Sequence, residues 1–170
     1  MTGKVQGYTG NGKGKTTAAL GLALRASGAG LKVFIGQFVK GMHYHEPDTL
    51  EHLPNISLKQ YGLDCFIVNE PMQNDIDAAK KGFTEMLRIV MEGKYDLVIF
   101  DEINIALYYK LIEIDELLDL INRRPAHVEL VLTGRYAPGE LLDLADLVTE
   151  IREVKHYYQD GVEARKGIEY

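Results

Sequence analysis

The stretch Tyr8-Thr9-Gly10-Asn11-Gly12-Lys13-Gly14-Lys15-Thr16-Thr17 decides the fold. It follows an alternating run, Lys4 to Tyr8, that reads as a strand, and it opens Ala18 to Arg25, which reads as a helix. A glycine-rich turn between a strand and a helix, closing in Gly-Lys-Thr, is a phosphate cradle. Without Cβ atoms in the way, successive backbone N–H groups can turn toward one anion. The helix start adds unpaired N–H groups and roughly +0.5 of a charge. Thr9 to Thr17 are therefore the candidate phosphate-binding residues, with Lys15 reaching the outer phosphates and the Thr16 hydroxyl binding Mg²⁺. The first glycine of the usual G-x-x-x-x-G-K-[ST] spacing is replaced by Thr9, and Lys13 adds a second lysine. The loop is expected to track a triphosphate differently from a common ATPase loop. The bland alternative, a glycine-rich surface turn with exposed lysines, leaves the order of strand, turn, Gly-Lys-Thr and helix unexplained.

The chain has 170 residues and a formal charge of −6. That length suits one domain, residues 1–170, burying about 70% of the unfolded chain's surface. The acidic balance disfavours nonspecific nucleic-acid binding, so a phosphate site must be locally positive, as the Lys13/Lys15 loop is. One cysteine, Cys65, excludes an internal disulfide and a Cys-only zinc site. With no signal peptide before the first strand and no run apolar enough to span a membrane, the expected compartment is the cytoplasm.

Outward from the loop, Leu31 to Val39 is apolar and β-branched, a buried strand whose end carries Gln37, Lys40 and Gly41. In open α/β sheets ligands sit at the carboxyl ends of strands, so this end is expected to face the nucleotide. Met42 to Asn55 reads as an irregular polar loop. His43, His45 and His52 there invite a metal reading, but His-x-His also fits a solvated segment, and spacing fixes no further ligand. Ile56 to Tyr61 alternates as a short strand. Gly62 to Met72 reads as a loop with an apolar centre, Cys65 to Val68, either core filler or a surface for a large flat ligand. Asp75 to Met91 has helical spacing, with Ile76, Ala79, Phe83, Met86, Leu87 and Val90 on one face.

Tyr95 to Asn104 is the second landmark. Leu97 to Phe100 runs into Asp101-Glu102, the pattern of a strand delivering carboxylates to its carboxyl end, where Mg²⁺ and phosphates wait. Alone the pattern is common; some ninety residues after a phosphate loop it is informative. A helix or turn follows at Ile105 to Lys110. An amphipathic helix, Glu113 to Arg123, places Ile114, Leu117, Leu118 and Ile121 inward. Val128 to Thr133 is another core strand, and Arg135 just beyond it is a candidate contact for nucleotide charge, or else a surface arginine. A helix at Ala137 to Ala145 and a last strand at Asp146 to Val154 lead to a polar tail, Lys155 to Tyr170, expected to be an ordered loop or cover. Strands alternate with helices throughout, which predicts an α/β domain with a mostly parallel sheet covered on both faces.

These residues alone leave a kinase, a motor-type or RecA-like ATPase, a transferase and a nucleotide-switched binding protein open. The phosphate loop, GQFVKG (Gly36 to Gly41), FDEIN (Phe100 to Asn104), TGR (Thr133 to Arg135), LLDLADLVTEIREVKH (Leu141 to His156) and the close DGVEARKGIEY (Asp160 to Tyr170) together resemble the ATP:corrinoid adenosyltransferase family of the bacterial cobalamin pathway. The resemblance runs from Tyr8 to Tyr170. It implies a P-loop, RecA-like fold, usually a homodimer, that transfers the 5′-deoxyadenosyl group of ATP to Co(I) of a corrinoid and releases triphosphate. It implies Gly10 to Thr16 on the triphosphate, and Mg²⁺ on Thr16 with Glu102 or Asp101. Arg135 falls near the nucleotide, and a reductase or flavodoxin-type protein supplies the electron. Lys13, Lys15, Glu102 and Arg135 are then the candidate catalytic residues: the two lysines, with Mg²⁺ and the loop N–H groups, stabilise charge on the leaving triphosphate, Glu102 holds that Mg²⁺, and Arg135 lies near the nucleotide. The family often extends N-terminally before the phosphate loop, whereas the first strand here starts almost at once. It also sets aromatic side chains, including a tryptophan, against the corrin; this sequence has no Trp, and Phe66, with Tyr61 second, is the candidate aromatic.

Overall fold

The computed structural model describes residues 2–39, 45–50, 52–62 and 71–170. Six described strands form one sheet: β1 (Val5–Thr9), β2 (Val33–Phe38), β3 (Ile56–Tyr61), β4 (Leu97–Asp101), β5 (Glu129–Thr133) and β6 (Leu147–Glu150). The order is β3-β2-β4-β5-β1-β6, and every neighbouring pair is parallel. All carboxyl ends therefore lie on one edge of the sheet. The helices are α1 (Lys15–Gly28), α2 (Glu46–Leu50), α3 (Gln73–Glu92), α4 (Ile103–Tyr108), α5 (Ile114–Arg123) and α6 (Gly139–Leu144), with a 3-10 turn at Tyr157–Asp160.

The core lies on both faces of the sheet, as strand periodicity dictates. Leu97 and Ile99 of β4 and Val131 of β5 join the small side chains Ala19, Ala23 and Ala26 of α1 on one face. Val98, Phe100, Leu130 and Leu132 point the other way, into Phe83 and Met86 of α3 and Leu117 and Ile121 of α5. Alanine on the inner face of α1 lets that helix lie close to the strands whose ends it serves.

Three expectations change. Residues 46–50, within the stretch read as irregular, form the short helix α2, with Pro47 in its first turn, Glu46 and Asp48 at its positive end and Leu50 buried. On α3 the inward face runs through Gly82, Phe83, Met86, Ile89 and Val90, so Leu87 is on the solvent side and Ile89 takes its place. Tyr61, considered for contact with a flat ligand, is buried under α3 with its ring 5.4 Å from that of Phe38. Cys65 to Val68, Phe66 included, and Lys40 to His43 lie outside the described residues. No described helix is long and apolar enough to cross a membrane.

The contact of α3 with β3 decides the sign of one substitution. An interior helical Gly→Ala change ordinarily stabilises by about 0.5–1 kcal/mol. A Cβ at Gly82, however, would lie 2.5 Å from Cγ and 2.6 Å from Cβ of Tyr61, the rigid base of that side chain. Overpacking of this kind costs about 1–3 kcal/mol. Gly82→Ala is therefore expected to destabilise the protein by about 1–2 kcal/mol, read as a lower urea midpoint at unchanged slope.

Candidate phosphate-binding site

The loop after β1 is shaped by its packing on the end of β6. Gly10 has φ 96° and Gly14, which caps α1, has φ 121°. A Cβ on Gly10 would fall 2.4 Å from the Ile151 carbonyl oxygen, and one on Gly12 2.8 Å from the Arg152 carbonyl carbon. The Gly12 N–H donates to Ile151 O at 2.8 Å, and the Ile151 N–H donates to Thr9 O at 2.8 Å. Thr9 takes the place of a loop glycine because it closes β1 in register with Glu150, and its hydroxyl accepts the Ala137 N–H at 3.4 Å.

Lys15 folds back into the loop it follows. Its Nζ donates to the carbonyl oxygens of Gly10 and Gly12, each at 2.7 Å, and the side chain is buried. The Thr16 hydroxyl donates to Asp101 Oδ1 at 2.9 Å. β4 lies between β2 and β5, so the Asp101 carboxylate is held from both sides. Thr133 Oγ1 donates to its Oδ1 at 2.7 Å, and Gln37 Nε2 donates to its Oδ2 at 3.0 Å. Gln60 Nε2 in turn donates to Gln37 Oε1 at 3.1 Å. Asp101, Gln37 and Thr133 are all buried. A buried carboxylate is stable only when its lone pairs are used in this way.

Immediately after Asp101 the chain turns through Glu102, a non-glycine residue in the left-handed region at φ 60°. That turn separates the two carboxylates: Asp101 stays inside, while Glu102 lines the open cavity. The Glu102 N–H donates to Thr133 Oγ1 at 3.0 Å, so the Thr133 hydroxyl organises both acids.

The cavity measures about 510 Å³, and Asn11 to Thr17, Glu102 and Arg135 line it together. Thr9, Gly10 and Asp101 stand behind this lining as supports. Phe66 lies outside the described residues. The oxygen donors Thr16, Asp101 and Glu102 are of the hard type that Mg²⁺ prefers. No described group of three or more His, Cys, Asp or Glu side chains could hold a metal. A cation here would draw its remaining ligands from water and substrate oxygens, as Mg²⁺ commonly does. Of the loop histidines, His45 lines the cavity and His52 is exposed.

The far wall is the C-terminal segment: His156 and Gly167 to Tyr170 face the loop across the cavity. Lys13 Nζ donates to Glu169 Oε1 at 2.7 Å, to Ile168 O at 3.1 Å and to Tyr157 Oη at 3.2 Å. Glu169 also accepts hydrogen bonds from the Tyr157 hydroxyl and from the Arg165 backbone and guanidinium. The Arg165, Lys13 and Tyr157 donors hold the Glu169 carboxyl far below the usual carboxylate range, and the Glu169 bond raises the Lys13 ammonium. Sequence reading foresaw a cover but not this anchor. The identity of Glu169 as its centre depends on a contact across 156 residues. Likewise Thr133 was visible only as part of TGR, since only the insertion of β5 beside β4 reveals its work.

A family model described as ATP:corrinoid adenosyltransferase BtuR/CobO/CobP matches residues 1–170. The chain is 34% identical over 163 residues to the corrinoid adenosyltransferase of Escherichia coli (strain K12), covering 96% of this chain and 83% of that protein. It is also 34% identical over 163 residues to the corrinoid adenosyltransferase CobA of Salmonella typhimurium (strain LT2), with the same coverages. It is 36% identical over 165 residues to the corrinoid adenosyltransferase of Pseudomonas aeruginosa (strain PAO1), covering 96% of this chain and 81% of that protein.

This geometry sets expectations at two residues, Thr133 and Glu169. Thr133→Val removes a donor to Asp101 and the acceptor of the Glu102 N–H, and should cost about 1–3 kcal/mol in chemical denaturation, whereas Thr133→Ser should retain most of the stability. Because the Glu169 carboxyl is depressed in the folded state, its contribution is complete above its ordinary pKa of about 4.3 and is lost only as pH falls through the lower folded value. A carboxyl NMR titration of Glu169 should therefore show a midpoint well under the ordinary one. Glu169→Gln should speed tryptic cleavage at Arg165 and Lys166.

Proposed function

The chain belongs to the ATP:corrinoid adenosyltransferase family, and we propose that it transfers the 5′-deoxyadenosyl group of ATP to Co(I) of a corrinoid. The observation that carries this reading is the match across residues 1–170, which takes in the phosphate loop and the C-terminal segment opposite it. The reaction forms a cobalt–carbon bond at C5′ and breaks the C5′–O bond, and the electron pair leaves with inorganic triphosphate. Co(I) is itself the nucleophile, so the chain need not furnish one. Its task is to orient the nucleotide and to stabilise the leaving charge.

Asn11 to Thr17 bind the triphosphate through backbone N–H groups and the α1 N-terminus. The Lys15 ammonium is held by the Gly10 and Gly12 carbonyl oxygens, and the residue lines the cavity. Lys13 and Arg135 add positive charge at the cavity wall. Mg²⁺, held by Thr16 with Glu102 or Asp101, would neutralise charge on the departing phosphates. Asp101 keeps the Thr16 hydroxyl oriented, and Glu102 presents its carboxylate to the cavity. Loss of one preorganised donor of this kind costs about 10²–10³ in rate. Phe66, in the apolar stretch Cys65 to Val68, is the proposed corrin contact. A reductase or flavodoxin-type donor would supply the electron that reduces the corrinoid cobalt to Co(I). We place the protein in the cytoplasm as a homodimer of a single domain.

Phosphorus NMR of a reaction with ATP, Mg²⁺ and chemically reduced corrinoid tests this. Inorganic triphosphate formed in step with adenosylcorrinoid is the expected result. ADP with phosphate, or ATP binding without corrinoid-dependent turnover, would sink the reading. Lys15→Ala should lower turnover by about 10²-fold or more with unchanged circular dichroism.

A further inference from the structure

Parallel strands are ordinarily covered on both faces. β6 is not: all four of its residues are exposed, and Leu147 and Val148, which point to opposite faces, are each 45% exposed. β6 pairs with β1 on one side, and no described strand pairs with its other edge. Natural edges are often blunted by proline or by charges of one sign; Leu147 to Thr149 have neither, and the charges that follow, Glu150 and Arg152, are of opposite sign. The chain runs on to Val154, a valine 96% exposed.

The side chains along this edge form a self-complementary series. Val148, Glu150, Arg152 and Val154 alternate with Leu147, Thr149, Ile151 and Glu153. Arg152 Nε and Nη2 reach Glu150 Oε2 at 2.9 and 2.8 Å, which puts residues two apart on one face, as an extended strand requires. Set a second copy antiparallel about a two-fold axis at Ile151. Glu150 then lies opposite Arg152 of the second copy, and Val148 opposite its Val154; both pairs recur across the axis. Opposite charges and β-branched residues are the cross-strand pairs that stabilise antiparallel ladders, and an isologous contact demands such self-complementarity.

We propose that the free edge of β6 is the surface through which two copies of this chain associate, extending the sheet across a two-fold axis at Ile151. This deepens the homodimer reading above and rests on it, but does not depend on the adenosyl-transfer chemistry. It also reaches the site. Ile151 holds Gly12 and Thr9 by backbone hydrogen bonds, so a partner strand at this edge braces the phosphate loop.

Charge exchange tests the register on the full chain by sedimentation equilibrium. Glu150→Arg and Arg152→Glu each set like charges opposite one another twice, and each should weaken dimerisation at least about tenfold. The double variant carrying both exchanges should regain the wild-type dissociation constant, and an equimolar mixture of the two single variants should form heterodimers; both also show that the variants fold. Wild-type dimers with single variants equally tight would overturn this surface and leave the homodimer reading standing. A double variant as weak as the singles would overturn it too. A wild-type monomer at every concentration would overturn both, while phosphorus NMR judges the chemistry separately.

Discussion

One buried carboxylate holds the working end of this molecule together. Asp101, at the last position of β4, accepts from Thr16 of α1, Gln37 of β2 and Thr133 of β5. An ionised group removed from water is tolerable only with its lone pairs satisfied. Each of those donors is thus pinned, and with it the end of the element that carries it. The carboxyl edge of the sheet is consequently rigid where the phosphate loop meets it.

Around this anchor the loop is braced on a second side. The segment after β6 approaches Gly10 and Gly12 closely enough to exclude any larger residue, and Lys13 ties the loop to Glu169. Backbone strain gathers at the same edge. Val39, Glu102 and Tyr136, just beyond β2, β4 and β5, all take positive φ without being glycine. Such residues cost of order 1–3 kcal/mol and persist only where surrounding structure over-determines them. At Glu102 the use of that strain is plain, since it turns the second carboxylate out of the core and into the cavity.

For the proposed chemistry, rigidity matters more than acid–base power. A metal nucleophile attacking a ribose carbon needs no protein base, but departure of triphosphate needs donors already aimed at its oxygens. A loop held by β6, by Asp101 through Thr16 and by the C-terminal segment keeps its backbone N–H groups in a fixed frame for that role.

Much of this was legible in the residues. The phosphate loop, the alternation of strands and helices, and the apolar run into Asp101-Glu102 are local patterns set by backbone sterics and side-chain periodicity, and the α/β sheet follows them. The face of α3 was off by Leu87 and Ile89 because the two flank opposite sides of the stripe Ala79, Phe83, Met86 and Val90, and only the way the helix lies on the sheet decides which flank is buried. Tyr61 looked available for a ligand, but its burial depends on how closely Gly82 lets α3 approach. Sequence alone picked out a glycine-rich, lysine-bearing turn between a strand and a helix, since that pattern rests on neighbours along the chain. Only the tertiary structure decided that Thr133 serves Asp101, that Glu169 closes on Lys13 and that no described strand pairs with the outer edge of β6. Those facts depend on strand order, which brings together residues 32 and 156 positions apart and which no local pattern encodes.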